Sequence, residues 1–326
     1  MQFAERLQFD SVMLTTGSIA GRLRHEFQRF APDFACFVHL FEPGARADLT
    51  EIFRDYMEIA SVYDLPMLVS APTWRAHPDG LARQGFDAPG DLARINGDAI
   101  ALLQDLRREL ALEDNIYIAG VIGPRFDGDE SSFNWDAAAA EDYHLPQAQV
   151  LAASGVDLLC ARGFAGAGEL LGVARAAAAT GLPYVLAPAI NARGQLRDGS
   201  LLTETVARVD VEVSCPPLHF FIDCTHPSHV LAAIDSTAWP ASKRVLGLYG
   251  SASSLSPEQP ENRGRPDTGD PESFADCMVD LHGRGFKVLG GCRGTGVAHI
   301  RALAQRFAAG GIEAKVSSLA SRQSQY

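Results

Sequence analysis

A single alternation runs the length of the chain: a short apolar stretch, a turn, an amphipathic helical stretch, then the next apolar stretch. Apolar runs at 12–14, 35–40, 66–70, 115–120, 155–160, 182–186, 218–223, 245–249 and 286–289 read as strands. Between them, 48–63 carries Leu49, Ile52, Phe53, Tyr56 and Ile59 at helical spacing. Further helices are expected over 90–112 with Asp91 as cap, and over 137–153, 169–180, 201–209, 230–234 and 272–282. About eight strand–helix units in roughly 300 residues is the pattern of a (β/α)8 barrel, a closed parallel sheet ringed by helices. The expectation is an α/β TIM barrel forming a single domain over 1–316, followed by a polar tail at 317–326. A doubly wound open sheet is the competitor. It calls for a glycine-rich dinucleotide turn after an early strand, and the nearest match, Gly290 to Gly296, stands at the opposite end.

Composition narrows the function classes. With 47% hydrophobic and 21% charged residues, the chain has material for a large core. A net charge of −12 argues against sequence-independent nucleic-acid binding, which needs a basic surface. No apolar run reaches the length of a membrane span, and the charged start of the chain is unlike a signal peptide. The six cysteines lack the spacing of a disulfide framework, so free thiols in a reducing cytoplasm are expected.

In a barrel the C-terminal strand ends gather at one face, where active sites are built. Two of those ends carry cysteine. Cys224 closes the run Phe221-Ile222-Asp223, and Cys292 follows Gly290-Gly291 just before a helical stretch. A helix N-terminus favours thiolate, and two thiolates on separate strand ends can share a zinc; unrelated buried thiols are the plainer reading. Trp74 either lines a pocket or belongs to the core. His226 offers a further ligand or a hydrogen-bonded surface residue, while His144 and Glu169 fall in helical stretches and read as structural.

Motifs in order along nearly the whole chain resemble the homocysteine S-methyltransferases, which include betaine, S-methylmethionine and folate-dependent types. Gly120-Val121-Ile122-Gly123-Pro124 resembles the family's Gly-Ser-Ile-Gly-Pro turn. Tyr143-His144…Gln147 and Gly155-Val156-Asp157-Leu158-Leu159 are similar to its Tyr-His…Gln…Gly-Val-Asp-Leu block. Gly194 to Gly199 resembles its Gly-x-Leu-x-Asp-Gly loop. Asp223-Cys224-Thr225 resembles Asn-Cys-Thr, and Gly290-Gly291-Cys292-Arg293-Gly294-Thr295 resembles Gly-Gly-Cys-Cys-Gly-Thr. The resemblance implies a (β/α)8 barrel whose zinc, on three cysteines, binds and activates the homocysteine thiol. Zinc deprotonates a thiol and positions it for in-line attack on a methyl group.

The departures fall on the site. Arg293 stands at the third zinc position and has no lone pair to give. Thr16-Gly17-Ser18 replaces the family's Asp-Gly-Gly, and Arg162-Gly163 replaces a Glu-Thr whose glutamate meets the substrate ammonium. Arg75 and Arg125 also follow strand ends. Four arginines on one face suggest a pocket for a carboxylate, phosphate or sulfonate, unless one pairs internally, with Arg293 and Asp223 as the candidate pair.

The expected site is therefore Cys224 and Cys292 as catalytic and metal residues. Thr16, Gly17, Arg75, Arg125, Arg162, Asp223 and Arg293 are expected around the substrate. The first functional reading is a divergent enzyme moving a methyl group from a sulfonium- or ammonium-type donor to a thiol or related acceptor, with zinc as the cofactor the resemblance implies. The alternatives are a zinc-free barrel enzyme acting on an anionic small molecule, or a non-catalytic binding protein. Its partner is expected to be a small molecule, not nucleic acid or membrane. A homo-oligomer is compatible with the sequence.

Overall fold

Eight of the nine apolar runs become strands. In the computed structural model these are β1 (Met13–Thr15), β2 (Met67–Ser70), β3 (Ile116–Ile122), β4 (Leu158–Phe164), β5 (Tyr184–Pro188), β6 (His219–Thr225), β7 (Val245–Gly250) and β8 (Val288–Gly291). The structure describes residues 1–10, 12–125, 135–191, 193–236, 243–254 and 267–309. The expected boundary at 316 and the tail at 317–326 lie outside them.

The strands pair in parallel in chain order and close into a barrel, β8 meeting β1 through Met13↔Val288 and Leu14↔Leu289. The chain is a single-domain (β/α)8 barrel. The strands have no polar face because both sides are covered, by helices outside and by packed side chains within.

The ninth run, 35–40, is not a strand. Cys36–Phe41 is a 3-10 helix with Cys36, Phe37, His39 and Leu40 buried. Burial at positions one, two, four and five is helical spacing, not the alternation of a strand. Asp33 and Phe34, with φ of 50° and 61°, turn the chain into it. Removing this element leaves the eight strands that a closed barrel needs.

The outer layer consists of α2 (Ile19–His25), α3 (Pro43–Tyr63), α4 (Pro78–Arg83), α5 (Asp91–Glu109), α6 (Ala137–Ala153), α7 (Ala167–Ala178), α8 (Leu202–Glu212), α9 (Pro227–Ser236), α10 (Pro271–Gly283) and α11 (297–309). Asp91 is the first residue of α5 and not its cap. Gly90 takes the cap position at φ 94°, a left-handed backbone that suits glycine. The helix α1 (Phe3–Phe9) has no counterpart in the sequence expectation. It places Phe3 and Leu7 among Met13, Leu68, Tyr117, Leu158 and Val288, residues near the N-terminal strand ends, and so stoppers the bottom of the barrel. Any site must open at the other end. Among the described residues no helix is long and apolar enough to cross a membrane.

Candidate active site at the barrel mouth

The site begins with strand periodicity. Inward-facing residues of alternate strands lie in shared layers of a barrel, and the last such layer of the even strands brings together Ser70 from β2, Arg162 from β4 and Asp223 from β6. Arg162 donates to Asp223 Oδ1 twice, from Nη2 at 2.7 Å and from Nε at 3.1 Å, and its Nη1 lies 3.4 Å from Ser70 Oγ. Its guanidinium sits 3.5 Å from the centroid of the Tyr249 ring, a cation–π contact from the end of β7. Burial depresses the Arg162 pKa, but Asp223 together with Tyr249, Cys292 and Cys160 outweighs it, and the net shift is upward. Beneath, the buried Tyr249 hydroxyl meets Cys160 Sγ at 3.5 Å, and burial pushes the Cys160 thiol up to about 11.

Asp223 thus pairs with Arg162, which corrects the Arg293 pairing considered from sequence. Asp223 Oδ2 takes no part in the pair and points past Gly163. A Cβ at Gly163 would lie 3.5 Å from that oxygen and 3.3 Å from the Trp74 ring, and its φ of 79° further favours glycine. Trp74 donates from Nε1 to the Arg162 carbonyl at 2.9 Å. The indole is backed on its other side by Arg75, whose guanidinium lies 4.0 Å from the ring centroid.

The next residue of β6 breaks the strand. Cys224 has φ 53°, and the β6–β7 register shifts between Asp223 and Thr225. The extra residue of this bulge turns the Cys224 thiol toward Cys292, which follows β8 and whose amide donates to the Gly250 carbonyl at 2.7 Å. The two half-buried thiols are close enough for each to shift the pKa of the other. The Cys292 thiol lowers the Cys224 pKa, with help from the Arg293 backbone N–H, and Cys224 raises that of Cys292. Of the two, Cys224 is the thiol that ionises more readily. All six cysteines are free thiols.

The remaining expected residues divide. Thr16 and Gly17 do reach the mouth, but as packing: the Thr16 carbonyl accepts the Gly291 N–H at 3.0 Å. A Cβ on Gly17 would approach Tyr56 Oη to 2.5 Å. Arg75 is 2% exposed and gives its Nη1 to the Pro124 carbonyl at 2.8 Å. Arg125 pairs with Asp79 at 2.6 Å and lies 4.5 Å from the Tyr143 ring centroid. Arg293 is exposed beside Cys292. The four arginines therefore do not converge into one anion pocket, because three of them are engaged by protein groups in separate places.

His226 accepts the Ser228 N–H at Nδ1, which lies 2.7 Å from the Ser228 hydroxyl, and burial lowers its pKa to about 4. It serves the start of α9. His144 and Glu169 form a buried pair at 3.1 Å, and Glu169 also accepts the Arg125 N–H at 2.7 Å. Ser70 and Tyr249 were not anticipated; the signal available was their place at strand ends, shared with many other residues.

The three-thiolate zinc site that the resemblance implies does not fit these donors. Two thiols are present, the third position holds arginine, and one oxygen of Asp223 is taken by Arg162. Among the described residues, no group of three or more His, Cys, Asp or Glu is placed to hold a metal ion.

Residues 14–307 match the family model of homocysteine S-methyltransferase. The fold is similar to that of the homocysteine methyltransferase MmuM from Escherichia coli. Its metallated form superposes with a TM-score of 0.74 at 20% identity, covering 93% of this chain and 98% of that one. The oxidised form gives 0.72 at 20% identity over 92% and 97%. The apo form gives 0.65 at 18% identity over 92% and 97%. No match was found among curated proteins.

Proposed function

The chain belongs to the homocysteine S-methyltransferase family, and from that premise we propose that it transfers a methyl group from a sulfonium- or ammonium-type donor to a thiol or related acceptor seated beside Cys224. The observation that carries the reading is the thiol pair: the ends of β6 and β8, far apart in sequence, bring Cys224 and Cys292 to the same part of the barrel mouth, near enough to shift each other's pKa. A thiolate is the competent nucleophile, and a bound acceptor thiol must lose its proton. Cys224 is the nearest base. The acceptor S–H proton passes to the Cys224 sulfur, and the acceptor sulfur forms a bond to the methyl carbon. The donor's carbon–sulfur or carbon–nitrogen bond breaks, its electron pair leaving on a neutral thioether or amine. The Cys292 S–H and the Arg293 N–H steady the Cys224 thiolate between turnovers. Trp74 and the second oxygen of Asp223 form the neighbouring wall, an aromatic face and an acceptor that suit a cationic donor.

The family's ammonium-binding glutamate is replaced here by Arg162, whose charge is balanced by Asp223, so an acceptor with an α-ammonium finds a different set of charges. A second reading, zinc-free chemistry on an anionic small molecule, is favoured by one observation, the exposed Arg293 beside Cys292. It gains nothing from Arg75, Arg125 or Arg162, which are engaged elsewhere.

The test is a labelled-methyl assay with sulfonium and quaternary ammonium donors against a panel of thiols, homocysteine included. Label should appear on a thiol and be lost in Cys224→Ser. Absence of transfer across the whole panel, with and without added zinc, would sink the first reading. Thermal stabilisation by carboxylates or phosphates, abolished in Arg293→Ala, would then support the second.

A further inference from the structure

Cys224 and Cys292 stand as ligands would, yet everything around them opposes a divalent cation. We infer that the barrel mouth is a two-thiol site that does not retain zinc stoichiometrically, and that Arg293 is the residue that keeps it so. Zinc in a protein site takes three or four protein ligands in tetrahedral geometry. Among the described residues no group of three or more His, Cys, Asp or Glu could hold a metal ion, and the side chains next to the thiols are drawn into protein contacts. Asp223 spends Oδ1 on Arg162 at 2.7 Å. Thr225 is buried and its hydroxyl lies 3.3 Å from the Asp223 carbonyl. His226 turns Nδ1 to Ser228. Arg293 is a permanent cation without a lone pair.

Charge acts in the same direction. The Arg162 guanidinium, fixed by Asp223, Ser70 and Tyr249, is near enough to act on both thiols. The second cation, Arg293, is adjacent to Cys292 in the chain. The positive charge of Arg162 beside the thiols, with the Arg293 backbone N–H directed at Cys224, favours a lone thiolate over a divalent cation. Arg293 is also exposed, with its backbone anchored by the Ala252 N–H at 2.9 Å from its carbonyl. Its side chain can therefore be exchanged without opening the core.

That makes the inference testable by gain of a ligand. The full-length protein is loaded with zinc, desalted and analysed for metal. The visible spectrum after cobalt loading reports thiolate coordination. Wild type should retain far less than one zinc per chain. Arg293→Cys should retain about one and show a cobalt–thiolate band, and Cys224→Ser in the Arg293→Cys background should lose both. Circular dichroism and thermal melts confirm folding, and Arg293→His supplies a second donor on the same backbone. One zinc per wild-type chain, lost in Cys224→Ser, overturns the inference. So does a folded Arg293→Cys and Arg293→His pair that both fail to load, because Cys224 and Cys292 would then not stand as ligands. These readouts involve no turnover, so they stand apart from the methyl-transfer assay.

Discussion

The wall of the mouth formed after β2, β3 and β4 and the rim formed by β6 and β8 handle polar groups in opposite ways. Along the wall, Arg75, Arg125 and Arg162 are held by the Pro124 carbonyl, Asp79 and Asp223, and His144 is closed against Glu169. On the rim, Cys224 and Cys292 are half-buried, Arg293 is exposed, and Cys224 bears a left-handed backbone. A satisfied buried charge is part of the architecture, whereas partly exposed groups in strained backbone are where reactivity collects. The contrast shows why counting arginines near strand ends overstates the positive charge offered to a substrate.

The largest effect should come from breaking the bridge between the two regions. Asp223→Ala strands the buried Arg162 cation and should cost about 3–5 kcal/mol in denaturant unfolding. Arg293→Ala on the exposed rim should change stability by no more than about 0.5 kcal/mol. Equal losses would erase the distinction.

Acid should find the wall next. Burial first, then the positive charge of Arg75, lowers the His77 pKa to about 2. Its Nδ1 accepts the Gly80 N–H and lies 2.7 Å from the Tyr143 hydroxyl. The folded state keeps this histidine neutral, while the unfolded chain protonates it near pH 6.5. Stability contributed by His77 is therefore complete above pH 6.5. It declines by about 1.4 kcal/mol per pH unit as the pH falls from there toward 2. A urea series from pH 7 to 4 should show the slope reduced by one proton in His77→Gln and unaltered in Arg293→Ala.

The smallest effect belongs to the bulge. Cys224→Gly removes the cost of a left-handed non-glycine residue and should leave stability unchanged or raised by up to about 1 kcal/mol. Cys224→Val, β-branched at the same φ, should lose about 2 kcal/mol. A Cys224→Gly loss comparable to Asp223→Ala would place the thiol among the structural groups of the wall.

Much of this was legible in sequence because it is local. The 137–153 helix has the bounds read from its pattern, and the Gly-Gly-Cys turn does end a strand. The run at 35–40 misled because a short apolar stretch carries no length to separate a strand from a helical turn. The bulge at Cys224 left no trace, since cysteine has no preference for a left-handed backbone.

What the sequence determined by itself was the alternation, and through it the barrel, the strand ends and the list of groups that meet at one face. Period and composition are properties of neighbouring residues, and they survive without knowledge of the fold. Which of those groups touch was decided by the tertiary structure alone. Barrel closure sets even strands in one layer, so Arg162 of β4 meets Asp223 from β6 and Ser70 from β2, while Arg293, beyond the end of β8, is left outside that layer. Partner choice among like charges depends on register and shear, and those exist only once the sheet has closed.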